Sequence, residues 1–262
     1  MITFDRHPAQ VLRPESVPKL LTDIDETLDL IAGCGIDRTF LVEFDAAEAQ
    51  RDATEFTKHV LLGQVRAVAL VVGQDMHFGR QRAGNIDFLI SMNADLDVVS
   101  VNPVKESLDD LEPVSSTAIR RALRGGDVAH AARMLGRPYS VKGEVIHGDH
   151  RGQTIGFPTA NIPIAEKRAW PTDGVYAGWF ERTDESVRPC AINLGRRPTF
   201  HQHAQHSLLE AHLLDFDGDL YGEICKVSFV EFLRNERRFD GIDGLVNQLG
   251  DGVASARRLL GV

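Results

Sequence analysis

The pattern of apolar residues changes once along the chain, at Gly136-Arg137-Pro138, and this change limits the folds that are possible. Before it, apolar runs of strand length alternate with segments of helical spacing. After it, the apolar runs are short and are separated by Gly, Pro and Asp. A chain of 262 residues is long enough for two ordinary domains. We therefore predict one domain over residues 1–136 and a second over residues 137–262.

The first half predicts strands that alternate with helices. Strands are predicted at 1–4, 39–44, 67–72 and 97–101. Helices are predicted around 20–31, at 116–123 and at 128–135, with Thr22 and Asp127 as caps and Gly33, Gly125 and Gly136 at their ends. The run 67–72 is apolar throughout, which is typical of a parallel strand buried on both faces. This alternation predicts a doubly wound, Rossmann-like α/β domain.

The second half predicts a small antiparallel β-barrel followed by one helix. Its strands are expected near 174–180, 189–194, 208–214 and 224–232, each bounded by turn-forming residues. Apolar residues at helical spacing, from Ile242 to Leu260, predict the terminal helix.

Charge and cysteine content limit the partners and the compartment. The net charge of −9 disfavours a general role in nucleic-acid binding. No apolar run approaches the roughly 20 residues that cross a bilayer, and residues 1–5 do not resemble a signal peptide. Three scattered cysteines are typical of reduced thiols. We therefore expect a cytoplasmic protein, a monomer or weak homo-oligomer, that binds neither nucleic acid nor membrane.

A glycine-rich segment before the barrel strands contains the residues most suited to binding a ligand. Its glycines would allow the backbone to approach a ligand closely; they are Gly148, Gly152 and Gly156. Thr159 and Asn161 follow two residues apart, so on an extended chain they share one face. A hydroxyl and an amide oxygen are hard ligands, suited to a Mg²⁺ ion that shares ATP phosphates. The alternative is a glycine-rich hairpin with a polar turn.

The sequence Gly-Phe-Pro-Thr-Ala-Asn at 156–161 resembles the signature of riboflavin kinases. Further blocks of the family follow in its order, at 174–178, 193–200, 209–216, 219–222 and 232–239. The resemblance implies that ATP and riboflavin are converted to ADP and FMN with Mg²⁺. It also implies that Thr159 and Asn161 hold Mg-ATP, that Glu210 is the general base, and that Arg234 lies near the flavin and nucleotide loops. The alternative for Glu210 is a partly buried, ion-paired strand residue.

The first half resembles the FMN adenylyltransferase module that precedes the kinase in bacterial bifunctional riboflavin kinase/FAD synthetases. The matching blocks lie at 3–8, 71–79 and 115–120. The last block would bind phosphate at a helix start. The resemblance assigns this module the residues Asp75, Ser115, Ser116, Thr117 and Arg120. The alternative for the Ser-Ser-Thr sequence is an ordinary helix N-cap.

The family's opening loop, Gly-x-Phe-Asp-Gly-Val-His-x-Gly-His, does not occur in these 262 residues. In the family its histidines stabilise charge during adenylyl transfer, so we expect FMN adenylyltransferase activity to be severely impaired and the α/β domain to be incomplete. Either Met1 is an internal start, or this is a natural short form; a native mass of 29.0 kDa would favour the latter.

Three functions remain open at this point. The first is a riboflavin kinase with an incomplete adenylyltransferase-like domain. The second is a fully bifunctional enzyme whose N-terminus lies upstream of Met1. The third is a flavin-binding module without catalysis.

Overall fold

The computed structural model describes residues 1–92, 96–105, 112–148, 156–196, 207–236 and 242–262. The chain divides into two compact units, Met1–Pro113 and Val114–Val262. The predicted boundary follows the change of sequence pattern at 136/137, whereas the division by contacts follows Pro113.

The first unit alternates short strands and helices, as predicted. Its strands are β1 (Ile2–Phe4), β2 (Phe40–Val42), β3 (Ala69–Gly73) and β4 (Asp97–Val101). Its α-helices are α1 (Ala9–Leu12), α2 (Ile24–Gly33), α3 (Ala46–Gln50), α4 (Ala53–Phe56) and α5 (Ile86–Met92). A π-helical stretch, Thr57–Gln64, continues α4. Strand β1 pairs with β2 and β3 with β4, in both cases in parallel.

Helix α2 begins later than its apolar spacing predicts. The prediction of Thr22 as the cap is wrong: Asp23 is the N-cap, and its carboxylate accepts a hydrogen bond from the Glu26 N–H at 2.8 Å. The Thr22 hydroxyl instead bonds the Thr27 hydroxyl at 2.8 Å. An aspartate cap satisfies an N–H group that the helix itself leaves unpaired.

Both parallel pairs pack on one apolar cluster. Its buried members are Val42, Phe56, Val60, Leu61 and Leu89. Leu70 of β3 packs against this cluster, whereas its neighbour Val71 is 70% exposed. The prediction that 67–72 is buried on both faces is therefore wrong. Side chains alternate along a strand, and this core covers only one face of β3.

The second unit is a six-stranded antiparallel sheet with helices packed on it. Its strands are β5 (Tyr139–Glu144), β6 (Ala160–Pro163), β7 (Gly174–Glu181), β8 (Val187–Arg196), β9 (Ser207–Leu213) and β10 (Ile224–Arg234). Their spatial order is β5-β10-β7-β8-β9-β6. Beyond β5, the Ile146 N–H donates to the Asn161 carbonyl at 2.8 Å, which links the two edges. The predicted antiparallel barrel is confirmed.

The barrel interior is filled by large side chains, and a buried arginine lies beside one of them. The largest fully buried aromatic residues are Tyr139, Tyr176, Phe180 and Phe229. Arg168 is buried beside them, and its guanidinium donates to the Tyr139 hydroxyl at 3.2 Å and to the Ser140 carbonyl at 2.9 Å. These bonds satisfy a charge that would otherwise be unfavourable in the interior.

Among the described residues of the second unit, two helices precede the barrel and one follows it: α6 (Ser116–Arg124), α7 (Val128–Leu135) and α8 (Ile242–Leu260). The predicted ends of α7 are confirmed, since Asp127 caps it and Gly136 ends it in a left-handed conformation. Helix α7 packs on β5 and β10, and α8 packs on β7, β8 and β10. Within the described ranges, no helix has both the length and the apolar character needed to cross a membrane.

Candidate active site

One row of residues runs across five strands of the barrel. Asn161 pairs with Glu210, Glu210 with Asn193, Asn193 with Val175, and Val175 with Arg234. Directly opposed residues of antiparallel strands point to the same face, with Cβ atoms roughly 4.5–5.5 Å apart. This cross-strand row therefore brings together three of the residues predicted from sequence and adds Asn193.

The cross-strand row lies on the outer face of the barrel. On β9 and β8, the residues that flank the row point inward and are at most 1% exposed; they are Leu209, Ala211, Ile192 and Leu194. Because side chains alternate along a strand, Glu210 and Asn193 point outward. Gly252 of α8 lies in van der Waals reach of Val175. The helix thus borders the row at Val175, and Glu210 is half-buried.

Asn161 is 5% exposed, and the backbone of Gly148 lies against its side chain. A side chain at position 148 would overlap the Asn161 amide, with a Cβ only 2.5 Å from Nδ2. Gly148 is thus required for the close approach of backbone and side chain. Gly156 has a left-handed φ of 83°, which glycine adopts without strain. Gly152 lies outside the described residues.

Asn161 and Thr159 are directly connected. The Asn161 Nδ2 donates to the Thr159 carbonyl at 3.2 Å, so the amide oxygen is on the other side of the planar group. Among the described residues, no group of three or more His, Cys, Asp or Glu side chains could hold a metal ion. A threonine hydroxyl and an asparagine oxygen still fit Mg²⁺, because this ion often keeps waters and takes its other ligands from phosphates.

Glu236 joins the site from the segment after β10. Its carboxylate accepts a hydrogen bond from the Asn193 side chain, and a side chain at position 195 would overlap that carboxylate. Burial raises the pKa of Glu236, the Asn193 bond opposes this shift, and nearby carboxylates raise it further. Those carboxylates belong to Asp173 and Glu210. The motif blocks contain Asn193 and Glu236, but only the structure shows that Asn193 pairs with Glu210 and that Glu236 lies within electrostatic reach of it.

Arg234 is the last residue of β10, and its guanidinium donates to the Asn235 carbonyl at 3.2 Å. Its positive charge lowers the pKa of Glu236, which places it within electrostatic reach of that carboxylate. It therefore supplies a positive charge at the end of the cross-strand row.

The residues assigned to adenylyl transfer are divided between the two compact units. Asp75 is exposed after the carboxyl end of β3, in the first compact unit. Ser115 belongs to the second unit and caps α6, where its Oγ accepts from the Ala118 N–H at 3.2 Å. Ser116 and Thr117 form the first turn of this helix. Burial lowers the pKa of Arg120, which is half-buried.

An open groove lies away from the cross-strand row. It is lined by the β7–β8 turn and the start of β10; the residues are Arg182, Thr183, Asp184, Tyr221, Gly222, Glu223 and Ile224. These residues are at the opposite ends of β7 and β10 from Val175 and Arg234. The Tyr221 ring stacks on His147, with centroids 3.8 Å apart, so the groove reaches the residue before Gly148.

Comparison with protein families gives one match for each half of the chain. A riboflavin kinase family model matches residues 135–260. An FAD synthetase family model matches residues 1–118.

Relatives match over the whole chain. The bifunctional riboflavin kinase/FMN adenylyltransferase of Escherichia coli (strain K12) is 35% identical over 263 aligned residues, which cover all of this chain and 82% of the relative. The Bacillus subtilis (strain 168) protein of the same description is 34% identical, covering 95% of this chain and 78% of the relative. A solved structure described as a macrolide-efflux protein from Streptococcus pneumoniae superimposes with a TM-score of 0.87 at 30% identity, covering 98% of this chain and 82% of that one.

Proposed function

Because the chain belongs to the bifunctional riboflavin kinase/FMN adenylyltransferase family, we propose that its barrel domain transfers the γ-phosphate of ATP to the terminal hydroxyl of riboflavin. The observation that carries this proposal is the cross-strand row, which aligns Asn161, Glu210 and Asn193 on one outward face. The row combines a carboxylate with amide groups, and these are the groups that a hydroxyl acceptor and a nucleotide require.

Glu210 is the base in this proposal. Its carboxylate accepts the proton as the hydroxyl oxygen attacks the γ-phosphorus. The new O–P bond forms while the bond to the β-phosphate oxygen breaks, and ADP leaves with that electron pair. Phosphoryl transfer depends mainly on positioning and charge neutralisation, with a base to take the proton.

Thr159 and Asn161 hold the nucleotide end of the site. Their hydroxyl and amide oxygens would bind a Mg²⁺ ion, which would neutralise charge on the ATP phosphates. Gly148 and Gly156 let the backbone approach closely, and Gly152 is assigned to the same loop. Arg234 adds positive charge beside the flavin and nucleotide loops.

The FAD synthetase match over 1–118 supports a second candidate function, conversion of FMN to FAD. Asp75, Ser115, Ser116, Thr117 and Arg120 would serve that reaction. The 262-residue chain contains no His-x-Gly-His sequence, so we expect this chain to make FMN but not FAD. The third candidate, a flavin-binding module without catalysis, conflicts with the presence of Glu210 opposite Asn161.

One incubation separates these functions. The 262-residue chain is mixed with riboflavin, ATP and Mg²⁺, and the products are separated by chromatography. FMN alone supports the proposal, and FMN with FAD supports the bifunctional candidate. Absence of both products, with riboflavin still bound, supports the non-catalytic module.

We also propose a cytoplasmic monomer or weak homo-oligomer that binds these small molecules and no nucleic acid. All three cysteines are free thiols, as is usual in a reducing compartment. The net charge of −9 opposes nucleic-acid binding. Light scattering tests the oligomeric state against the chain mass of 29.0 kDa.

A further inference from the structure

His212 attaches the Gly-Phe-Pro-Thr segment to β9 by a long-range side-chain bond. Its Nδ1 lies 2.8 Å from the Pro158 carbonyl oxygen, across 54 positions of sequence. A carbonyl oxygen can only accept, so Nδ1 carries the hydrogen and donates it. The His212 ring also contacts the Phe157 ring, with centroids 5.3 Å apart and the planes tilted by 60°.

This bond lies just beyond the backbone pairing of the two strands. The β6–β9 ladder begins at the pair Ala160–Ala211, and the next position on each strand is Thr159 and His212. Pro158 has no N–H group to contribute to a ladder. The histidine side chain therefore adds a hydrogen bond to the Pro158 carbonyl just before the β6–β9 ladder begins.

The bond between His212 and Pro158 restricts the residues that would hold Mg-ATP. The Pro158 carbonyl belongs to the peptide group that leads into Thr159, so fixing it restricts the Thr159 backbone. The Thr159 carbonyl in turn accepts from Asn161 Nδ2. A chain of two hydrogen bonds thus connects His212 to the orientation of both proposed ligands.

We propose that His212 is a positioning residue for the nucleotide, which acts by holding the Pro158–Thr159 peptide in place. This inference rests on the proposed kinase function. His212 itself touches neither riboflavin nor phosphate in this role, so its loss weakens Mg-ATP binding more than riboflavin binding.

Three substitutions at one position test this role. His212→Ala removes the donor, His212→Asn places an amide N–H near the position of Nδ1, and His212→Gln places it one bond farther out. We expect His212→Ala to raise the KM for Mg-ATP about tenfold, the loss typical of one hydrogen bond, with less than about a twofold change in the KM for riboflavin. His212→Asn is expected to restore most of the loss, and His212→Gln less.

The control is His130→Ala, a substitution of a half-exposed histidine on α7. Mg-ADP binding is measured by calorimetry for every variant, together with thermal melting. If His212→Ala does not fold, the comparison of the Asn and Gln variants decides. The inference fails if His212→Ala binds Mg-ADP like the wild type, if both KM values rise equally, or if His212→Asn is no better than His212→Gln. A wild type that makes no FMN would instead overturn the proposed function.

Discussion

At the scale of residues, the site brings together carboxylates that repel one another. Glu210 and Asp173 both raise the pKa of Glu236, and Arg234 and the Asn193 side chain only partly offset burial and repulsion. Folding alone gains nothing from such an arrangement. Unfavourable charge of this kind is concentrated at functional sites, which supports a role for this face of the barrel in binding or catalysis.

Glu210 supplies the most direct test. Glu210→Gln keeps the size of the side chain but cannot accept the proton, and Glu210→Ala removes the group. We expect both to lower kcat at least ~100-fold, the low end for losing a general base, with an unchanged circular dichroism spectrum. Glu231→Gln on β10 is the matched control and should keep its turnover. Near-normal turnover in the Glu210 variants would remove this residue from the mechanism.

Glu236 predicts a change of stability with pH. Its pKa is raised in the folded protein, so it stabilises the fold when protonated, and this contribution is lost as the pH rises through the folded pKa. Glu236→Gln should therefore melt at a higher temperature than the wild type at pH 7, and the difference should disappear below about pH 4, near the ordinary value for glutamate. The effect is expected to be small, because the side chain is substantially exposed. A lower melting temperature at pH 7 would mean that the bond to Asn193 outweighs the repulsion.

At the scale of elements, the sequence predicted those helix and strand ends that depend on a few neighbouring residues. Helix α7 begins and ends where Asp127 and Gly136 indicate, because a cap and a left-handed glycine act within a few residues. Strand β4 matches its predicted range of 97–101. Start signals compete, however: Asp23 caps α2 in place of Thr22, because either side chain can serve as a cap and the sequence does not decide between them.

Pairing between strands is not a local property. That Asn193 opposes Glu210 depends on the register of β8 with β9, and a slip of one residue would turn the whole strand over. The close approach of Gly148 to Asn161 depends on the pairing of Ile146 with β6. The exposure of Val71 depends on which face of β3 the core covers. The family motifs therefore provided candidate residues for the site but could not predict their arrangement.

Two glycines of the second unit predict opposite effects of the same substitution. A Cβ at Gly178 on β7 would overlap the Ser228 carbonyl of β10 and lie 2.5 Å from Ile192 Cδ1. Gly178→Ala should therefore destabilise the protein by about 1–3 kcal/mol, as overpacking does. Gly250 lies inside α8 with open space around it, so Gly250→Ala should stabilise by about 0.5–1 kcal/mol. Urea unfolding measures both, and changes of the same sign would contradict this account of the packing.

At the scale of the whole molecule, the cross-strand row belongs entirely to one compact unit. Every residue of the row, together with α8, lies within Val114–Val262. The same unit includes α6 and α7, although they follow the α/β pattern of the first half in sequence. Leu123, Val128 and Ala131 on these helices are fully buried, and the Thr172 N–H donates to the Leu123 carbonyl at 3.0 Å.

Two fragments therefore test whether the domain boundary lies at 136/137, where the sequence pattern changes, or after Pro113, where the contacts divide. We expect residues 114–262 to unfold cooperatively and to form FMN at a rate close to that of the full chain. Residues 137–262 lack α6 and α7, and full burial of each large apolar side chain stabilises by about 1.5–3 kcal/mol. Losing Leu123 and Val128 would therefore remove much of the free energy of unfolding, which is roughly 5–15 kcal/mol for a typical domain. Thermal melting and FMN formation measure both fragments. Equal stability of the two would instead make 136/137 the structural boundary and assign the two helices to the first domain.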